Sequence, residues 1–206
     1  MLAASRHVVA ADISTRKGDW EKSKFMGREL TGKTVGILGL GHIGQLLVKR
    51  LSGFEVKVLG YDPMLSPTLA EKLGVELTSI EHIFTDSDFV SLHIPENDET
   101  RGMINRRLLE LMKPGAMLIN CARGPIVGST ALAAALNEGR LAGAGVDVFN
   151  QEPPIPDSEP LLHARNALLT PHIAFASQES MIRRARIVFQ NIEAYLAGKP
   201  ENVCQY

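Results

Sequence analysis

Cysteine is scarce in this chain of 206 residues: only Cys121 and Cys204 occur, far apart and without CxxC or Cys/His ligand spacing. That pattern gives neither a disulfide framework nor a zinc site, so no metal is expected and a reducing compartment, the cytoplasm, fits best. An excess of charge of one sign is also missing. Twenty-two Lys and Arg stand against 23 Asp and Glu, a formal charge of -1, so no global field draws the chain to nucleic acid or to an anionic membrane. No apolar run is long enough to cross a membrane, and the opening "MLAASRHVVAAD" is interrupted by Arg6 and His7 and carries no signal-peptide cleavage pattern. Internal repeats, low-complexity tracts and an obvious linker are absent too. These absences leave small molecules and other proteins as partners.

What is present is 45% hydrophobic residues, enough for one sizeable core, arranged in alternation. Runs of strand length, "TVGILGL" (34–40), "VKVLGYD" (56–62), "DFVSLHIP" (88–95), "AMLIN" (116–120), "AGAGVDVF" (142–149) and "NALLTPH" (166–172), are separated by segments of helical period. The intervening segments are "HIGQLLVKRLSG", "SPTLAEKLG", "NRRLLELMK" and "STALAAALNEG". Strands this apolar are buried on both faces, and their alternation with helices predicts a doubly wound α/β fold with a parallel sheet. A last helix is expected from near Ser177 to Gly198, with Met181, Ala185, Val188, Ile192 and Leu196 on one face. Residues 1–11 read as helical but without an N-cap residue, as though the chain began inside a helix.

"GLGHIG", residues 39–44, matches GxGxxG. With 18 glycines in the chain the match alone is weak; here it follows a strand, opens a helix and precedes Asp62 at the end of the next strand, which makes it a dinucleotide fingerprint. Gly39 permits the turn, Gly41 lets the backbone approach a pyrophosphate, and Gly44 lets helix and sheet pack closely, while the helix N-terminus faces the anion. A carboxylate at Asp62 accepts from ribose hydroxyls and repels a 2′-phosphate. No Arg follows in "YDPMLSP", so NAD is favoured over NADP.

Arg123 in "NCARGP", Glu152 in "DVFNQEPP" and His172 in "TPHIAF" fall at or beyond strand ends, where ligands of such sheets bind. Singly, Glu152 reads as a solvated loop charge and His172 as a packed ring. Together, beyond a dinucleotide fingerprint, they form a set for hydride chemistry: a histidine to move the hydroxyl proton, a carboxylate to orient it and raise its pKa, and a guanidinium fork for a substrate carboxylate.

In order along the chain, "RKGDW", "GKTVGILGLGHIG", "YDP", "SDFVSLHIPENDETRGMIN", "MKPGAMLINCARGPIV", "LAGAGVDVFNQEPP" and "LLTPHIAF" resemble the signatures of the D-isomer-specific 2-hydroxyacid dehydrogenases, specifically their NAD-binding domain. The resemblance implies an oxidoreductase acting on a small 2-hydroxy or 2-oxo acid, with Arg123 binding substrate, Glu152 pairing with the histidine and His172 as general acid/base. It further implies cofactor contacts from His42 and Ile43 at the pyrophosphate, Asp62 at the ribose, and Pro95 and Thr100 along the adenosine. Cys121, Ala122 and Asp147 fall at the nicotinamide end, with Asp147 holding the carboxamide. Cys121 reads as a small packed residue rather than a nucleophile.

On the same resemblance, residues 1–30 form a connecting helix and dimerisation arm, 31–198 the NAD-binding Rossmann domain and 199–206 a C-terminal tail, and the protein is a homodimer. Leu2, Val8, Val9, Ile13, Trp20 and Phe25 suit a subunit interface. The family's substrate domain has no counterpart here, so the chain is expected to be a fragment or truncated product that binds cofactor and turns over poorly. Gly128 and Ser129 stand where the family often has an acidic residue. Two other readings share this fold: an NADH-sensing protein like the corepressors that resemble these enzymes, and an inactive NAD-binding remnant. The identity of the 2-hydroxy acid is not written in these residues.

Overall fold

Among the described residues, 1–203 of the computed structural model, seven strands form one parallel sheet. They are β1 (Thr34–Leu38), β2 (Lys57–Tyr61), β3 (Val75–Leu77), β4 (Phe89–Leu92), β5 (Met117–Asn120), β6 (Gly143–Val146) and β7 (Ala167–Leu169), in the order β3-β2-β1-β4-β5-β6-β7. Cys204 and the end of the 199–206 tail lie outside the described residues. All pairings are parallel, with Val35 beside Val58 on one flank of β1 and beside Phe89 on the other. The order reverses direction at β1, so the crevice between the carboxyl ends of β1 and β4 is the topological switch point where ligands of such sheets bind. The expected doubly wound fold is thus the one that forms, and the reason is visible in the strands: β4, β5 and β6 are buried at every position.

Two apolar cores cover the two faces. Leu38, Leu59, Val90, Leu92 and Leu118 pack with Phe84, Leu108 and Leu136. On the other face Val35, Ile37, Phe89 and Met117 pack with Val48, Leu51 and Ala70. The helices that supply these residues are α3 (His42–Leu51), α4 (Pro67–Leu73), α5 (Ile80–Asp86), α6 (Arg106–Leu111) and α7 (Ser129–Asn137). Sequence reading missed β3 and α5. "VEL" is a three-residue edge strand with one polar centre, and α5, "IEHIFTD", takes its apolar residues from β-branched and aromatic types that favour a helix only weakly.

The helix expected over residues 1–11 is broken. α1 (Leu2–Ser5) and α2 (Val8–Arg16) flank His7, whose φ is 51°. The carbonyl of Ser5, which a continuous helix would give to residue 9, accepts the N–H of Arg28 instead, at 2.9 Å. Gly27 makes this crossing possible, since a Cβ there would stand 2.5 Å from the Ser5 oxygen.

The described chain falls into two compact units, Met1–Pro171 and the stretch from His172 onward. The second is dominated by α8 (Gln178–Leu196), which starts where the sequence predicts. The Ser177 hydroxyl accepts from the Ser180 N–H and the Ser180 hydroxyl from the Ser177 N–H, a capping box, and Gly198 at φ 71° follows the helix. Its expected apolar face is about half exposed, Met181 at 46% and Val188 at 49%.

Candidate functional site

The glycine loop between β1 and α3 is shaped by contacts that only glycine allows. Gly39 has φ 89°, and a Cβ on it would meet the His93 carbonyl at 2.7 Å; a Cβ on Gly44 would overlap the Gly39 oxygen at 2.1 Å. Gly41 differs: nothing lies within 4 Å of the Cβ it lacks, so its face is open for a ligand. α4, α5 and α6 are capped by Ser66, Ser79 and Asn105, whereas no side chain caps α3. Its first-turn N–H groups and dipole are available to an anion. Asp62 braces the loop, its Oδ2 accepting from the Leu40 N–H at 2.7 Å and its Oδ1 from the Met64 N–H at 2.8 Å.

Two cavities adjoin this loop. One, of about 370 Å³, is lined by Gly39, Gly41, Asp62, Pro95 and Thr100; the other, of about 450 Å³, by Ile43, Pro95, Cys121, Ala122 and Arg123. His93, Ile94 and Pro95 line both and form the ridge between them. An adenosine-sized and a nicotinamide-sized space on either side of an open glycine turn fit an extended dinucleotide. Thr100 lines the first cavity and also fixes its wall. Its hydroxyl donates to the Pro95 carbonyl at 2.7 Å and accepts from the Asn97 N–H at 2.9 Å, which fixes the loop that walls the cavity.

His93 was not singled out from the sequence. Its Nε2 lies 3.0 Å from the buried Ser91 hydroxyl, and burial holds its pKa below the ordinary value of 6.5. The ridge is therefore uncharged at neutral pH.

At the ends of β5, β6 and β7 the register lines up Cys121, Asp147 and Thr170. Asn120 pairs with Val146 and Val146 with Leu169. Asn120, 1% exposed, organises the turn that follows it: its Oδ1 accepts from the Ala122 N–H and its Nδ2 donates to the Arg123 carbonyl, both at 3.0 Å. Arg123 donates from Nη1 to the Ala122 carbonyl at 2.7 Å. Gly124 is required by close approach, since a Cβ would sit 2.0 Å from the Phe149 carbonyl carbon. This contact welds the loop bearing Arg123 to the one leading to Glu152. Ser129, unaccounted for in the sequence, accepts from Asn150 Nδ2 at 3.1 Å and holds the same loop.

Cys121 is exposed rather than packed as expected. Enough protein surrounds its sulfur that desolvation, and secondarily the charge of Asp147, push its pKa up. It stays a thiol at neutral pH, as a non-nucleophilic role requires.

Glu152 is exposed in the loop after β6 and is engaged in an interaction of its own, as is His172. His172 opens the second unit with φ 53°, a left-handed conformation uncommon for a non-glycine residue. Its ring meets Phe175 edge-on, centroids 5.9 Å apart. No group of three or more His, Cys, Asp or Glu residues able to hold a metal occurs among the described residues, and no helix there is long and apolar enough to cross a membrane.

Known proteins place this geometry in a family. The model of the D-isomer specific 2-hydroxyacid dehydrogenase NAD binding domain matches residues 1–174. The chain is 43% identical to a glyoxylate reductase of Thermococcus litoralis over 211 aligned positions, covering 98% of this chain and 63% of that one. It is 42% identical to a D-3-phosphoglycerate dehydrogenase of Archaeoglobus fulgidus over 200 positions, covering 97% and 38%. Among solved structures, an acyclic imino acid reductase in complex with NADPH and D-Arg superposes with a TM-score of 0.89 at 34% identity, covering 98% of this chain and 64% of that one. The chain thus spans less than two thirds of the length of these relatives. The family model over residues 1–174 and relatives 42 and 43% identical over nearly the whole chain make this chain a member of the D-isomer specific 2-hydroxyacid dehydrogenases, within their NAD-binding domain family.

Proposed function

We propose that this domain serves the NAD-dependent interconversion of a D-2-hydroxy acid and a 2-oxo acid in the cytoplasm, with NAD preferred over NADP. The observation that carries the reading is the continuous edge from the open face of Gly41 across His93 to the turn that presents Cys121, Ala122 and Arg123. NAD, when bound, supplies the hydride acceptor or donor. Gly41 and the uncapped start of α3, with His42 and Ile43, receive its pyrophosphate, Asp62 its ribose, and Asp147 its carboxamide. Arg123 binds the substrate carboxylate and polarises the carbonyl. His172 gives a proton to the carbonyl oxygen during reduction and takes it back during oxidation, with Glu152 as the carboxylate that serves it. The exposed apolar residues of α2 and the Trp20 segment are covered in a homodimer.

Oxidation of NADH followed at saturating glyoxylate, hydroxypyruvate or pyruvate tests the assignment. The chain is expected to show a slow rate that depends on the 2-oxo acid. His172→Asn and Arg123→Gln each lower that rate by about 100-fold or more while NADH still binds. Unchanged rates in both variants, or no rate with any of the three acids, contradict it.

A further inference from the structure

The pair formed by Asp147 and Thr170 has a role that no motif in the sequence assigns. Asp147 is 3% exposed at the end of β6, so its carboxyl oxygens, cut off from bulk water, need hydrogen-bond partners within the protein. Thr170 provides one. Its hydroxyl donates to Asp147 Oδ1 at 2.5 Å, the short end of the range for a hydroxyl on a carboxylate. The backbone makes this pairing unavoidable. The Asp147 N–H donates to the Asn120 carbonyl at 3.0 Å and the Thr170 N–H to the Val146 carbonyl at 3.0 Å, so β5, β6 and β7 leave the sheet side by side with both side chains at the cofactor edge. A β-branched threonine, already restricted at χ1, delivers its hydroxyl to that oxygen with little freedom to lose.

We propose that Thr170 is a positioning residue for the nicotinamide end of the cofactor: its hydroxyl pins the Asp147 carboxylate in the rotamer that accepts the carboxamide N–H. The proposal rests on the reading of Asp147 as the carboxamide acceptor. One carboxylate oxygen tied to β7 leaves the group unable to swing about its Cα–Cβ bond. The nicotinamide ring is then set at one angle, and Thr170 acts on it without touching it.

Calorimetric titration of the 206-residue chain with NADH and with ADP-ribose, which lacks the nicotinamide, separates this role from general support of the fold. Thr170→Val removes the hydroxyl at nearly constant volume; it is expected to weaken NADH by about tenfold and ADP-ribose by less than about twofold, the loss typical of one hydrogen bond to a charged group. Thr170→Ser restores NADH affinity, and Asp147→Asn gives an NADH-selective loss of its own. If Thr170→Val does not fold, Thr170→Ala carries the same expectation. The proposal alone is overturned if Asp147→Asn is NADH-selective while the Thr170 variant binds NADH normally or loses both ligands equally. If Asp147→Asn is not selective, the carboxamide reading fails and takes the proposal with it.

Discussion

Gly41 and Gly44 occupy one motif and do different things. A Cβ on Gly41 enters open space at φ -66°, whereas one on Gly44 overlaps the Gly39 oxygen. Gly41→Ala should therefore leave the melting temperature unchanged while weakening NADH about tenfold or more, because the added methyl stands where the pyrophosphate meets the backbone. Gly44→Ala should lose on the order of 2 kcal/mol of stability, seen as a lowered melting temperature, because backbone must move to admit the methyl. Equal effects of the two changes on melting would contradict the division. The fingerprint glycines and Asp62 were legible because their order along the chain is itself the pattern: a strand, a glycine turn, a helix, and a carboxylate at the end of the next strand. Gly124, Ser129 and Thr170 were not, since Phe149, Asn150 and Asp147 lie across the sheet edge and become their neighbours only through parallel register; Asn120 bonds within its own turn, where a buried amide cannot be told from a solvated one by its spacing. Gly124 reads as an ordinary turn glycine before a proline until the Phe149 carbonyl is seen against it.

Helical segments rich in Leu and Ala were readable even when short, as α4 and α6 show, and a helix of β-branched and aromatic residues was not. α8 was located from its cap and stop, while α5, seven residues behind Ser79, was missed although Ile80, Ile83 and Phe84 sit at helical spacing. The start of the chain shows a different failure. Local helical pattern was right on both sides of His7, yet the long-range bond from Arg28 to Ser5 divides it. As a result α1 packs into the core through Met1 and Ala4. α2 and the segment after it expose Val8 at 52%, Ile13 at 50% and Trp20 at 78%. Side chains of this kind, gathered on one arm, are expected to be covered by a second copy. Sedimentation at micromolar concentration should find a dimer that Trp20→Asp shifts toward monomer; a wild-type monomer at every concentration would rule the arm out as an interface.

For the molecule as a whole, the parallel order and the two cores follow from strands too apolar to be half exposed, and that much was written in the sequence. What the fold adds is a shared edge: the carboxyl ends of β1, β2, β4, β5, β6 and β7 bring Gly41, Asp62, His93, Arg123, Asp147 and Thr170 to one side of the sheet. On the proposed function this edge is a site for NAD in which Asp62 sets the preference, through attraction to ribose hydroxyls and repulsion of a 2′-phosphate. Calorimetric titration of the chain with NADH and NADPH in parallel tests it most directly. One NADH is expected to bind per chain, with NADPH about tenfold or more weaker and a difference that narrows in Asp62→Asn. No binding of either nucleotide, or equal affinity for both in the unaltered chain, would contradict it.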